Sequence, residues 1–280
     1  MITGTTRITA VLGWPVEHSR SPQMLNAAYA ELGVDAVMVP IPVRPEDLAT
    51  LIAGLRAGHC LGASVTIPHK ISAAALCDAL TPAAKAIGAV NCLQFGDADD
   101  PERLTGHNTD ESGFLDGLVE AGYNPKGKRA VLLGAGGAAR AVAYALRGGR
   151  AIEIVARRPE KVTWARAWPW TPEQLRDCLS RADLVVDCTS ISLGADEAAQ
   201  VETIPFDVLP EGAWVSTLIY HRPSILLERA KVAGYSTLDG RAMLVHQGAR
   251  AFTTWLSVPA PLDAMRRALD ASLVTSPGGT

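Results

Sequence analysis

Val131-Leu132-Leu133-Gly134-Ala135-Gly136-Gly137-Ala138-Ala139-Arg140 carries the most specific local pattern in the chain. An apolar run enters it and an alanine-rich segment leaves it. That order predicts a buried strand, a glycine turn and a helix start. Gly134, Gly136 and Ala139 keep the G-x-G-x-x-G/A spacing of a dinucleotide-binding turn. Gly134 permits the tight turn, Gly136 lets the backbone approach a pyrophosphate, and small Ala139 lets helix and strand pack closely. The helix N-terminus then offers free N–H groups and a positive dipole end to phosphates. Gly134, Ala135, Gly136, Gly137 and Ala138 are therefore cofactor-binding candidates. Taken alone, the spacing also fits a strand–helix turn with no ligand.

The surrounding sequence favours the ligand. A second apolar strand, Ala151-Ile152-Glu153-Ile154-Val155-Ala156, completes a βαβ unit and ends in Arg157-Arg158, with Lys161 close behind. A site for NAD places an acid about 20 residues after the glycines, where it meets the ribose hydroxyls. Arginines there would instead grip a 2′-phosphate with forked, charge-assisted hydrogen bonds. We read NADP rather than NAD, with Arg157, Arg158 and Lys161 as its candidates. Without the glycine turn they would read as ordinary surface charge.

The chain has 280 residues, 48% hydrophobic and 20% charged, which fits one or two globular domains with a sizeable core. A net charge of −3 gives no reason to expect nucleic acid or an anionic membrane as partner. No apolar run reaches the 18 or so residues of a membrane span, and the start shows no signal-peptide pattern. Five scattered cysteines without a C-x-x-C fit reduced thiols, not disulfides or a metal site. The expected location is the cytoplasm.

Strands alternate with helices through the first hundred residues, which argues for a mainly parallel, covered sheet. Arg7 to Leu12 reads as a strand, followed by a turn holding Ser19 and Ser21. Ser21 before Pro22 is a good helix N-cap, and two hydroxyls there also suit an anionic or hydroxylated ligand. The strand Gly62 to Ile67 carries Ser64 and Thr66 and runs into Pro68-His69-Lys70. In open α/β sheets ligands bind beyond the C-terminal ends of strands, so Lys70 stands where chemistry usually sits. Lysines are otherwise mostly solvated, and His69 reads as a structural hydrogen-bonding group. Ala89-Val90-Asn91-Cys92-Leu93 enters a strand. A polar turn, Asp97 to Pro101, and a return strand near Arg103 to Gly106 follow. Asp110 then opens a helix, either as its N-cap or as a functional acid.

Gly13-Trp14-Pro15 with His18-Ser19-Arg20-Ser21-Pro22, Ser64 through Lys70, Ala89-Val90-Asn91, Asn108-Thr109-Asp110, the glycine turn, and Asp239-Gly240 through Gln247 follow one another along the chain. In these segments and their order the chain resembles the shikimate dehydrogenase family. The resemblance implies a two-domain α/β fold. An N-terminal substrate domain (1–109) and a Rossmann-like NADP domain (110–238) would be followed by C-terminal helices (239–280) returning to the first domain. The active site would then lie in the cleft between domains. The resemblance also implies reversible, NADP-dependent reduction of 3-dehydroshikimate to shikimate by a monomer or homodimer. Lys70 and Asp110 would form the catalytic pair. Ser19 and Ser21 would hold the substrate carboxylate, and Thr66, Asn91 and Gln247 its hydroxyls, with Ser64 and Tyr220 nearby. Thr189, Leu218 and Gly240 would join the cofactor contacts. The chemistry fits independently, because a hydride reaching a carbonyl leaves charge on oxygen that an ammonium can stabilise and protonate.

Four positions depart from the family pattern. Ser64 stands for the usual Asn, Ser192 for a glycine, Thr217 for an Asp and Ala242 for a Gly. The alternatives are a paralogue favouring quinate and a catalytically silent NADP-binding sensor. The presence of both Lys70 and Asp110 disfavours the sensor.

Overall fold

The apolar runs and glycine punctuation of the sequence become two six-stranded sheets. The computed structural model describes residues 2–96, 100–189 and 197–274. Chain contacts divide it into two compact units, Met1–Gly113 with Leu244–Thr280, and Phe114–Met243. The boundaries drawn from sequence at 109/110 and 238/239 fall a few residues before these. Ser190, Ser192 and most of the Asp97 to Pro101 turn lie outside the described residues.

The first unit holds β1 (Arg7–Gly13), β2 (Ala36–Pro42), β3 (Gly62–Val65), β4 (Ala79–Leu80), β5 (Cys92–Phe95) and β6 (Leu104–His107), in spatial order β2-β1-β3-β5-β6-β4. It is a mixed sheet: β1 runs parallel to β2 and β3, while β5 is antiparallel to both β3 and β6. The hairpin β5–β6 has a consequence for the site. Two antiparallel steps return β6 to the direction of β1 and β3. The C-terminal ends of β1, β3 and β6 and the N-terminal end of β5 therefore share one sheet edge.

Helices α1 (Ser21–Glu31), α2 (Leu48–Ala57), α3 (Lys70–Ala74) and α4 (Pro82–Ile87) connect these strands. One face of α1 buries Met24, Leu25, Ala28 and Tyr29, the i, i+4 spacing of a half-buried helix. Thr81 caps α4, accepting the Ala84 N–H at 3.3 Å, and Gly88 ends that helix with φ +69°. The expected Ser21 cap is not formed. Arg20 occupies the N-cap, Ser21 lies inside the first turn, and its own N–H donates to Ser19 Oγ at 3.4 Å. Proline is tolerated at the second helical position because that N–H needs no intrahelical partner.

The second unit holds β7 (Arg129–Leu133), β8 (Ala151–Ala156), β9 (Ala167–Pro169), β10 (Leu184–Asp187), β11 (Trp214–Thr217) and β12 (Ser236–Leu238). All pair in parallel, in the order β9-β8-β7-β10-β11-β12. This is the doubly wound 3-2-1-4-5-6 order, whose topological switch point lies between β7 and β10. Helices cover both faces, so β7 is apolar from Ala130 to Leu133. Val131 and Leu133 pack toward α7 (Pro172–Leu179) and α9 (Ile225–Val232). Ala130 and Leu132 pack toward α5 (Asp110–Glu120) and α6 (Gly137–Ala145). The tryptophan-rich segment, residues 164–170, contributes Trp168 to edge strand β9, where its backbone finds partners on β8.

The short α8 (Glu197–Glu202), α10 (Arg241–Leu256) and α11 (Leu262–Val274) complete the chain. Residues of α10 from Leu244 onward and all of α11 belong to the first unit. There α11 packs on α1, and the Trp255 indole N–H donates to the Leu93 carbonyl at 2.9 Å.

Candidate active site

Lys70 opens α3 directly after β3, and Asp110 opens α5 directly after β6. Parallel β3 and β6 deliver both residues to one sheet edge. Lys70 Nζ donates to Asp110 Oδ2 at 2.5 Å, with side chains 17% and 6% exposed. Asp110 is thus engaged sideways by the lysine and does not serve as a plain helix cap. Asn108 takes that function, its Oδ1 accepting the Glu111 N–H at 3.3 Å.

Asn91, just before β5, is the hub. Its Nδ2 lies 2.9 Å from Asp110 Oδ1, 2.9 Å from Thr109 Oγ1 and 3.3 Å from Gln247 Oε1. Two amide hydrogens face three acceptors, so one contact must be shared. The Asn91 Oδ1 accepts the Thr109 N–H at 2.6 Å. Backbone bonds fix the hub further: Val65 N–H donates to the Asn91 carbonyl, Asn91 N–H to the His107 carbonyl, and Val90 N–H to the Lys70 carbonyl. Burial holds the His107 imidazole below its ordinary pKa, and Nε2 lies 3.0 Å from Gln94 Oε1. That contact ties β6 to β5, the strand that follows Asn91.

Gln247 reaches this network from α10. Its Nε2 donates to the Leu244 carbonyl at 2.9 Å, which leaves Oε1 toward Asn91. A glycine allows the approach: a Cβ on Gly113 would stand 2.6 Å from the Gln247 backbone nitrogen. We expect Gly113→Ala to lower stability by up to about 2 kcal/mol, the clash being with backbone. Overpacking of about 1–3 kcal/mol outweighs the helix-propensity gain of about 1 kcal/mol. Thermal unfolding of the two proteins side by side checks this.

Ser64 lies on β3, buried, and Thr66 follows it, its methyl close to Gly13. The turns after β1 and β3 run together, Trp14 N–H donating to the Ile67 carbonyl and Thr66 N–H to the Leu12 carbonyl. Buried Ser21 and half-buried Ser19 sit beyond the first of these turns. His69 is 1% exposed and its Nε2 meets the Val43 carbonyl at 2.8 Å, a structural bond that seats the start of α3. Tyr220 belongs to the second unit, after β11, its ring edge-on to His221.

In the second unit every cofactor candidate follows the C-terminal end of a parallel strand. Gly134 to Ala138 follow β7, Arg157, Arg158 and Lys161 follow β8, and Thr189, Leu218 and Gly240 follow β10, β11 and β12. Gly134 has φ +101°, and a Cβ there would stand 2.9 Å from Thr189 Cγ2, so the turn needs glycine for conformation and for space. Gly136 is the N-cap of α6, has no side chain to satisfy the first-turn N–H groups, and opens onto free space. That is a cradle for an anion at a helix N-terminus. Gly240 packs against the Leu218 carbonyl, where a Cβ would stand 2.2 Å away. Arg157, Arg158 and Lys161 are exposed.

Several residues here escape the sequence reading. Asp187 is buried at the end of β10, and its Oδ1 accepts from Thr189 N–H at 2.9 Å and from Thr189 Oγ1 at 2.6 Å. Trp164 donates its indole N–H to the Ala135 carbonyl at 3.2 Å. Thr109 braces Asn91. Only Thr109 had a signal, its place in the Asn108-Thr109-Asp110 triplet.

The doubly wound sheet of the second unit, with a glycine cradle at its switch point, and the part-buried ammonium–carboxylate pair of the first unit define a dinucleotide-dependent oxidoreductase. Residues 11–93 match the shikimate dehydrogenase substrate binding domain and residues 240–269 the shikimate 5'-dehydrogenase C-terminal domain. Shikimate dehydrogenase (NADP(+)) of Desulforamulus reducens is 40% identical, the match covering 96% of each chain. The crystal structure of shikimate dehydrogenase from Aquifex aeolicus superposes with a TM-score of 0.86 at 33% identity, over 96% of this chain and 99% of that one. The Thermus thermophilus shikimate 5-dehydrogenase in complex with NADP(H) and shikimate gives 0.81 at 33% identity, over 95% and 99%. The chain belongs to the shikimate dehydrogenase family.

Proposed function

We propose that this chain catalyses the NADP-dependent, reversible reduction of 3-dehydroshikimate to shikimate. The observation that carries the reading is the part-buried Lys70–Asp110 pair, tied through Asn91 to Gln247 on one sheet edge. Full-length similarity to enzymes named shikimate dehydrogenase (NADP(+)) supports the same reaction.

In this reading Ser19 and Ser21 hold the substrate carboxylate, and Thr66, Asn91 and Gln247 accept and donate to the ring hydroxyls. Ser64 and Tyr220 complete the substrate contacts. The spare acceptor at Asn91 is where a substrate hydroxyl gains a partner. The glycine cradle fits a pyrophosphate, and Arg157, Arg158 and Lys161 fit the additional phosphate of NADP. Thr189, Leu218 and Gly240 line the remaining strand ends.

When bound, NADPH supplies the hydride to the carbonyl carbon. Lys70 stabilises the negative charge that grows on the substrate oxygen and gives it a proton. Asp110 aims the ammonium, and Asn91 holds the second carboxylate oxygen so that Asp110 cannot turn away. The partial exposure of Lys70 lets solvent return the proton afterwards. Reversal of these steps oxidises shikimate.

Initial rates with shikimate and quinate, each with NADP and NAD, test the assignment. We expect shikimate with NADP to give the highest kcat/KM. A higher value with quinate moves the chain to the quinate-active paralogue, and no turnover with any pair leaves the silent sensor.

A further inference from the structure

The glycine turn of the second unit is held by a residue well outside it in sequence. The Ala135 carbonyl accepts the Trp164 indole N–H at 3.2 Å. The Arg140 guanidinium lies over the same ring, 5.6 Å from its centroid. Arg140 Nε is buried without a hydrogen-bond partner among the described residues, so the guanidinium is placed by the ring and not by a carboxylate. Trp164 also packs on the core formed by α5, α6 and β7.

The consequence follows from peptide planarity. A trans peptide points its carbonyl and its N–H in opposite directions, so fixing the Ala135 oxygen fixes the Gly136 N–H. Among the described residues no other hydrogen bond does so. The Ala135–Gly136 peptide turns over by rotating ψ of Ala135 and φ of Gly136, and glycine tolerates either sign of φ. Here Gly136 is held at φ −75°.

We propose that Trp164 is a positioning residue for the cofactor pyrophosphate: its bond to the Ala135 carbonyl locks the peptide plane that aims the Gly136 N–H into the cradle, and Arg140 clamps the indole in place. This rests on the NADP reading above. Losing the bond lets the turn sample the wrong orientation, and cofactor binding must then select the right one.

The test is Trp164→Phe, which keeps a ring for the core and for Arg140 but removes the donor. Calorimetric titration with NADP+ and with adenosine 2′-monophosphate separates the turn from the adenosine end, because the second probe has no pyrophosphate. We expect the Kd for NADP+ to rise about tenfold, the loss of one hydrogen bond, with less than about a twofold change for adenosine 2′-monophosphate and for shikimate. An unchanged NADP+ affinity, or equal losses for both nucleotides, overturns the proposal. Wild-type protein that fails to bind NADP+ would instead overturn the cofactor reading itself. A second measurement needs no variant. Coupling is reciprocal, so NADP+ must slow hydrogen exchange at the Trp164 indole N–H. Exchange that is indifferent to NADP+ overturns the proposal even if Trp164→Phe does not fold.

Discussion

Lys70→Ala lowers kcat for shikimate oxidation by about a thousandfold and leaves KM for shikimate within about threefold. A general acid or base of this kind contributes about 10²–10⁴-fold, roughly 3–5 kcal/mol of the barrier. The ground-state ketone and alcohol are held by hydroxyl and amide contacts that the substitution leaves alone, whereas charge reaches the oxygen only on the way to the transition state. The substitution also strands Asp110, which is 4% exposed, without its cation. Removing one partner of a buried pair destabilises by about 3–5 kcal/mol, and the Asn91 bond offsets part of this. Stability and catalysis can therefore be separated. The double variant Lys70→Ala/Asp110→Asn recovers most of the lost melting temperature but none of the lost kcat. Steady-state rates with unfolding curves on the same preparations check both halves. A single variant with near-wild-type turnover removes Lys70 from the chemistry. A double variant that regains turnover shows that the loss was structural.

Replacing Arg157 and Arg158 together by Gln lowers kcat/KM for NADP by about 10²–10³-fold and changes that for NAD by less than about threefold. Each charge-assisted hydrogen bond to a phosphate contributes about 1.5–3 kcal/mol. The two guanidinium groups follow β8, at the same strand edge as the glycine cradle. Both are exposed in the chain, so they lose little internal packing on substitution. The two cofactors differ only in the 2′-phosphate, which makes the ratio of their kcat/KM values the informative readout. Equal losses with both would show that the arginines support the turn or the nicotinamide end and do not read the phosphate.

Much of this was legible before any coordinates. β8 runs over the residues expected from its apolar run, and α7 starts at Pro172 behind Thr171, whose Oγ1 accepts the Gln174 N–H at 3.3 Å. Local rules work there because one neighbour a few residues away completes the structure. They fail where partners are distant. Ser21 has the sequence of an N-cap, yet the turn after β1 places Arg20 at that position. β9 has no periodicity, because an edge strand of three residues takes its definition from β8. α11 shows only when α1 is present to bury Ala264, Met265 and Leu269.

Short segments alone yield the βαβ unit, the glycine turn with its positive-φ position, the basic residues after β8, and Lys70 beyond a strand end. These follow from backbone sterics, side-chain periodicity and donor chemistry, whereas Asn91, Asp110 and Gln247 are singled out as site residues by family resemblance. Only the tertiary structure decided that Lys70, Asn91, Asp110 and Gln247 meet, that Asn91 has more acceptors than hydrogens, and that Trp164 holds the peptide of Ala135. Those facts depend on strand order and direction, which bring residues up to 156 positions apart within hydrogen-bond reach. No local propensity encodes a contact of that range. It arises when β5 and β6 turn back antiparallel and α10 rejoins the first unit.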